Sequence, residues 1–178
     1  MKILLAGPSG VGKTTVAKIL AKRLGARYVE VLTDECRRLS DPVKRQICFF
    51  DVVGRGVIDA KGFPFDLVLD NAMLSVYGYT MAIARDTMVG RSAAWIEWAK
   101  WEAENFRVVL LIVKSRKVLA ERIAKRQRKT DPYENKLRIH MSAQRYMVTL
   151  ARRLGIPIVD TTEKTPEGVA EEVLKRLT

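Results

Sequence analysis

Short apolar runs that stop at glycine or aspartate alternate along this chain with stretches whose apolar residues recur every three or four positions. Ile3-Leu4-Leu5-Ala6 reads as a buried strand ending at Gly7-Pro8. Val16, Leu20 and Leu24, with Ala17 and Ala21, then make one helical face that Gly25 closes. Residues 28–32, 66–70, 108–113 and 156–160 read as four further strands, and Pro157 puts the last at its first residues or on an edge. Strands separated by helical stretches argue for an α/β fold with a parallel sheet. Asp41-Pro42, Asp131-Pro132 and Thr165-Pro166 each set a capping side chain before a proline at the first helical position. Asp131 and Glu134 add the spacing of a capping box, so a helix is expected from Asp131. Trp95, Trp98 and Trp101 fall on one helical face, expected to pack against the sheet. Val169, Val173 and Leu177 form the buried stripe of a last helix.

The 178 residues fit one domain, and no repeat or Pro/Gly/Ser linker marks a boundary. No apolar run approaches the roughly 20 residues of a membrane span, and the apolar start is too short for a signal peptide. A cytoplasmic protein is therefore expected. Cys36 and Cys48 have neither Cys-x-x-Cys nor metal-ligand spacing, so neither a disulfide nor a zinc site is expected. The single His140 argues against a mechanism needing several His ligands. Lys and Arg number 32 against 20 Asp and Glu, a net charge of +12 that calls for an anionic partner or a solvated basic surface. The excess is concentrated between Lys114 and Lys129, where Glu121 is the only acid.

Gly7-Pro8-Ser9-Gly10-Val11-Gly12-Lys13-Thr14 matches G-x-x-x-x-G-K-[ST] with a strand before and a helix after it. Glycines let successive N–H groups converge on phosphate oxygens, and the following helix adds its positive end. Lys13 is placed for the β- and γ-phosphates, Thr14 for Mg²⁺ and Thr15 for the α-phosphate. ATP with Mg²⁺ is the expected cofactor pair. Asp70 ends the third strand at the ligand-binding edge of a parallel sheet, a position for an oxygen that holds Mg²⁺ or orients the nucleophile. The GTPase motif N-K-x-D and the apolar strand ending in D-E of motor ATPases are absent.

Asp70-Asn71-Ala72-Met73-Leu74-Ser75-Val76-Tyr77-Gly78-Tyr79-Thr80 resembles the D-R-Y-x-x-S-x-x-A-[YF]-[QT] stretch of thymidylate kinases, P-loop nucleoside-monophosphate kinases. Phe49-Phe50-Asp51-Val52-Val53-Gly54-Arg55 resembles that family's segment ending in a phosphate-holding Arg. Similar order and spacing continue through Ala94–Trp98, Leu119–Ile123, the Arg-rich run, Gln144-Arg145-Tyr146 and Ile158-Val159-Asp160. The resemblance implies a P-loop NTPase-type three-layer α/β/α fold with a five-stranded parallel sheet. One nucleotide-kinase domain would cover 1–178, with a short lid at about 124–134 and homodimer formation. The reaction implied is transfer of the ATP γ-phosphoryl to a nucleoside monophosphate, dTMP foremost. Lys13, Asp70 and the lid residues Arg126 and Arg128 would be catalytic. Phe50, Arg55, Asn71, Ser75, Tyr79 and Arg85 would form the acceptor side.

Three departures weaken dTMP as the acceptor. Asn71 stands where the family has Arg, Ser9 where it commonly has an acid, and Asp51 rather than Phe50 lies four residues before Arg55. Two alternatives follow: a kinase for another nucleoside or nucleotide, and a nucleotide-dependent nucleic-acid-binding ATPase. Against the second, Tyr133 is the only ring near the basic run, so stacking platforms for bases are lacking.

Overall fold

The computed structural model describes residues 1–31, 33–85, 87, 93–126 and 136–177. Strands β1 (Lys2–Ala6), β2 (Arg27–Val29), β3 (Leu67–Leu69), β4 (Arg107–Ile112) and β5 (Ile158–Asp160) pair in the order β2-β3-β1-β4-β5. All pairings are parallel, with Leu4 opposite Leu69 on one side and Val108 on the other. The eight helices among the described residues are α1 (Lys13–Leu24), α2 (Asp34–Arg38), α3 (Pro42–Gly62), α4 (Met73–Ile83), α5 (Ala94–Asn105), α6 (Arg116–Arg126), α7 (Leu137–Arg153) and α8 (Pro166–Leu177). The five strands stand where the apolar runs predict them, with ends shifted by a few residues.

Alternation along the central strands decides the layers. Ile3, Leu5, Val109 and Leu111 face α1, α6 and α8, whereas Leu4, Ala6, Val108 and Leu110 face α3, α4, α5 and α7. Both faces are covered, as a parallel sheet requires. The β1 side chains Ile3, Leu4 and Leu5 are fully buried, each worth about 1.5–3 kcal/mol. This is the three-layer α/β/α P-loop fold. The Asp41 carboxylate caps α3 by accepting from the Val43 and Lys44 amides at 2.8 Å. Thr165 caps α8 by accepting from the Gly168 amide. The expected cap at Asp131 and most of the expected lid, including Arg128, lie outside the described residues; the described α7 begins at Leu137. No helix among the described residues is long and apolar enough to cross a membrane.

Two expectations change. The tryptophans of α5 do not simply lie on the sheet: Trp95 and Trp98 meet Phe50 of α3 edge-on, with centroids at 4.6 and 5.9 Å, and Trp101 meets Phe106. Cys36 and Cys48, expected to be unlinked, form a disulfide between α2 and α3, with Cα atoms 5.4 Å apart. The turn between these helices folds α2 back onto α3, a proximity that cysteine spacing does not encode.

Helix α4 crosses α7 at Gly78, where a Cβ would stand 2.4 Å from Met147 Cγ and 2.8 Å from the Ala143 carbonyl oxygen. The Met147 side chain can move, but the Ala143 backbone must shift. Overpacking of about 1–3 kcal/mol then exceeds the helix propensity of under about 1 kcal/mol that alanine adds. Gly78→Ala should therefore lower the urea midpoint. An unchanged or raised midpoint would show that the crossing is loosely packed.

Candidate active site

The loop from Gly7 to Gly12 joins the carboxyl end of β1 to the amino end of α1, so its amides converge where the sheet edge and the helix dipole meet. Gly10 and Gly12 hold φ of +86° and +91°, which L side chains rarely adopt. A Cβ on Gly10 would also lie 3.1 Å from Leu119 and Ile123 of α6, so this helix packs directly on the loop. Lys13 Nζ reaches back over the loop and donates to the Gly7 and Pro8 carbonyls at 2.7 and 3.0 Å.

Strand β3 neighbours β1, which brings Asp70 beneath the loop. Thr14 Oγ1 donates to Asp70 Oδ2 at 2.6 Å, and the Tyr28 hydroxyl from β2 donates to the same oxygen at 2.9 Å. Burial, with the Asp70 carboxylate beside it, pushes the Tyr28 phenol up, so it remains a proton donor. A hydroxyl and a carboxylate side by side suit a hard cation such as Mg²⁺, which takes one or two protein oxygens and completes its shell with phosphate and water. Among the described residues no group of three or more His, Cys, Asp or Glu could hold a metal alone. Thr14 and Asp70 therefore fit a metal that arrives with the nucleotide.

Helix α4 braces the loop from the side. Ser75 Oγ accepts from the Gly7 amide at 3.0 Å, and the Tyr79 hydroxyl, one turn on, accepts from the Ser9 amide at 2.9 Å. Buried His140 of α7 meets that hydroxyl at 2.6 Å through Nδ1. Glu102 of α5, fully buried, accepts from the Met73 amide at the start of α4. Burial pushes its carboxyl up to about 8, against the pull of backbone bonds from Met73 and Leu74.

A cavity of about 460 Å³ opens in front of this arrangement. Gly7, Ser9, Gly10, Gly12, Lys13, Thr14, Thr15, Asp70, Asn71, Ser75 and Tyr79, all expected at the site, line it. Asn71 Oδ1 accepts from the Ala72 amide. Val11 is buried, and Pro8 contributes its carbonyl to Lys13. Three expected acceptor residues stand elsewhere. Phe50 is packed against Trp95 and Trp98. Arg55 is 75% exposed and pairs with Asp51 one turn back at 2.8 Å. Arg85 is exposed, with the Tyr146 hydroxyl at 3.5 Å. Arg126 ends α6.

Residues not singled out in the sequence complete the wall, Thr33, Asp34 and Arg37 from the α2 side and Arg45 and Gln46 from α3, together with Phe49, which opens the Phe49–Arg55 segment of the resemblance. Arg45 and Gln46 are buried although charged or polar. Arg45 donates to the Leu39 and Ser40 carbonyls behind α2. The available signal was helical spacing: Arg45, Gln46 and Phe49 share a face of α3, whereas Arg55 lies on another. Arg122 closes the far edge by donating to Thr161 Oγ1 and O at 2.8 and 2.7 Å.

A family model described as the ATPase family associated with various cellular activities (AAA) matches residues 3–177. Among curated relatives, a 2-phosphoglycerate kinase from Pyrococcus furiosus is 28% identical over 98% of this chain and 64% of its own length. This chain thus spans under two thirds of that relative. A putative adenylate kinase from Thermococcus gammatolerans is 25% identical over 98% of this chain and 84% of its own. Two solved structures share the fold. Deoxyadenosine kinase from M. mycoides has a TM-score of 0.70 at 18% identity, over 99% of this chain and 98% of its own. Thymidylate kinase from Candida albicans has 0.65 at 15%, over 99% and 90%. The likeness to thymidylate kinase is thus one of fold.

Proposed function

The chain belongs to the ATPase family associated with various cellular activities, and from that premise we propose that it is an ATP- and Mg²⁺-dependent phosphotransferase acting on a small phosphorylated acceptor. The observation that carries the reading is the Thr14–Asp70 contact at the foot of the loop, with a cavity in front of it walled on the far side by Arg37 and Arg45. Donor and acceptor anions can both be met in one space.

The loop amides and Lys13 bind and orient the β- and γ-phosphates, and Lys13 neutralises charge as the phosphoryl moves. Mg²⁺, when bound, would offset charge on the phosphate oxygens. Thr14 and Asp70 are the residues that would hold it, with Tyr28 fixing the Asp70 carboxylate. An acceptor phosphate is already anionic and needs no general base. Arg126 and Arg128 would add cations as the site closes, and closure limits hydrolysis by water.

A nucleoside monophosphate is the first acceptor class, with dTMP the member the sequence resemblance names; the likeness to a putative adenylate kinase supports the class. A small phosphorylated hydroxy acid is the second. The likeness to a 2-phosphoglycerate kinase favours it, as does a cavity lined by three guanidinium groups, of Arg37, Arg45 and Arg122, beside two rings, Phe49 and Tyr79. A coupled assay with ATP, Mg²⁺ and a panel of nucleosides, monophosphates and phosphorylated acids tests both. A phosphorylated product is expected, and release of inorganic phosphate alone would overturn the reading.

The cavity lining supports Arg37 rather than Arg55 as the acceptor cation. Arg37→Ala should raise the acceptor KM about tenfold or more and leave the ATP KM nearly unchanged, the pattern of a lost binding contact. Arg55→Ala should change neither by more than about twofold, because exposed ion pairs contribute little. The reverse ranking would return the acceptor phosphate to Arg55.

A further inference from the structure

The disulfide lies directly behind the cavity wall. Cys36 follows Thr33 and Asp34 and precedes Arg37; Cys48 follows Arg45 and Gln46 and precedes Phe49. All six neighbours line the cavity. Every wall residue from α2 and α3 therefore sits within three positions of a bridged cysteine.

Helix α2 depends on its tertiary contacts. It spans five residues, Asp34–Arg38, and its one buried side chain is Cys36. A single turn is too short to be stable alone, since helix nucleation is unfavourable and tertiary contacts must supply the difference. Its other ties among the described residues include the Arg45 hydrogen bonds to Leu39 and Ser40 and an Arg37–Thr33 contact at 3.3 Å. The bridge is the covalent tie between the two sides of the wall. Cys36 is fully buried, and Cys48 is the partly exposed partner, so a reductant would meet Cys48 first.

We propose that Cys36–Cys48 is a thiol–disulfide exchange site through which a dithiol reductant releases α2 and weakens acceptor binding. The proposal rests on the kinase reading for its effect on the acceptor, though not for its effect on α2. In the exchange, one thiolate of the dithiol attacks Cys48 Sγ and the S–S bond breaks. Its electron pair leaves on Cys36 Sγ, which takes a proton. The second thiol then attacks the mixed disulfide, freeing Cys48 as a thiol and leaving the reductant as a disulfide. Two electrons and two protons pass to the protein. The phosphate loop, held by β1, α1 and α4, keeps its own contacts throughout.

The test treats the air-oxidised full chain with dithiothreitol under native conditions, counts free thiols, and measures acceptor KM, ATP affinity and amide hydrogen exchange. Two thiols should appear and the exchange of α2 amides should accelerate. If the formed wall falls to about a tenth of molecules, the acceptor KM should rise about tenfold with ATP affinity unchanged, and reoxidation should reverse it. Cys48→Ser should reproduce the reduced state and no longer respond to the dithiol. Free thiols before treatment, a bridge the dithiol does not open, an unaltered acceptor KM, or a parallel fall in ATP affinity would each overturn the proposal. If no acceptor is phosphorylated at all, the kinase reading fails instead, and exchange at α2 alone decides the redox step: faster on reduction supports it, unchanged rejects it.

Discussion

Replacing Lys13 by alanine should lower kcat for phosphoryl transfer by about 10³-fold, while ATP affinity falls much less. Transfer of this kind is mostly positioning and electrostatics, and one well-placed donor at the developing charge is worth about 10²–10³. In the structure the ammonium rests on the Gly7 and Pro8 carbonyls at the loop mouth. Moving onto phosphate exchanges neutral acceptors for a charged one, and charge-assisted bonds are roughly twice as strong. The loop amides and the amino end of α1 remain in the variant, so the triphosphate keeps most of its grip. Lys13→Arg should not rescue the rate, because a planar fork cannot replace a compact point charge in the space the loop leaves. Steady-state kinetics beside an ATP-binding titration checks this. A loss below about tenfold would remove Lys13 from the transferring phosphoryl.

The second large effect is on stability and comes from Glu102. Its carboxyl is fully buried at the start of α4 and is pushed by burial from 4.5 up to about 8. The folded state therefore holds a proton that the unfolded chain releases above about pH 4.5. Between these values the native state binds more protons, so stability falls as pH rises, by about 1.4 kcal/mol per unit and roughly 5 kcal/mol in all. The contribution is complete below pH 4.5 and lost as pH passes through 8. Glu102→Gln keeps an oxygen for the Met73 amide and has no proton to lose. Urea unfolding at pH 5, 7 and 9 should show the variant gaining on the parent chain as pH rises. Because α4 carries Ser75 and Tyr79 to the loop, ATP affinity of the parent should weaken over the same alkaline range. A variant less stable by the same amount at every pH would mean that Glu102 is an ionised cap.

The central sheet and the phosphate loop were legible because their signals are local. Apolar runs ending in Gly7 and Asp70 mark strand ends, and the loop glycines and Lys13-Thr14 are contiguous. The parallel sheet then has few ways to order such strands, and Thr14 meets Asp70. The acceptor wall was less legible. The aligned stretch around Phe50 and Arg55 has the family's residue types, but a shift of one position on a helix turns a side chain by about 100°. That rotation sends Phe50 to the tryptophans, leaves Phe49 at the cavity, and points Arg55 to Asp51.

What the sequence determined by itself is the α/β fold, the glycine-rich loop between β1 and α1, and the Thr14 and Asp70 oxygens at its foot. These follow from period, from backbone freedom at glycine, and from residues adjacent in the chain. Only the tertiary structure decided which cations and rings line the cavity, that Cys36 meets Cys48, and that Glu102 is sealed beneath α4. Each depends on how one helix lies against another. That choice is made by the sum of many small packing energies spread over the whole core, so no single stretch of sequence carries it.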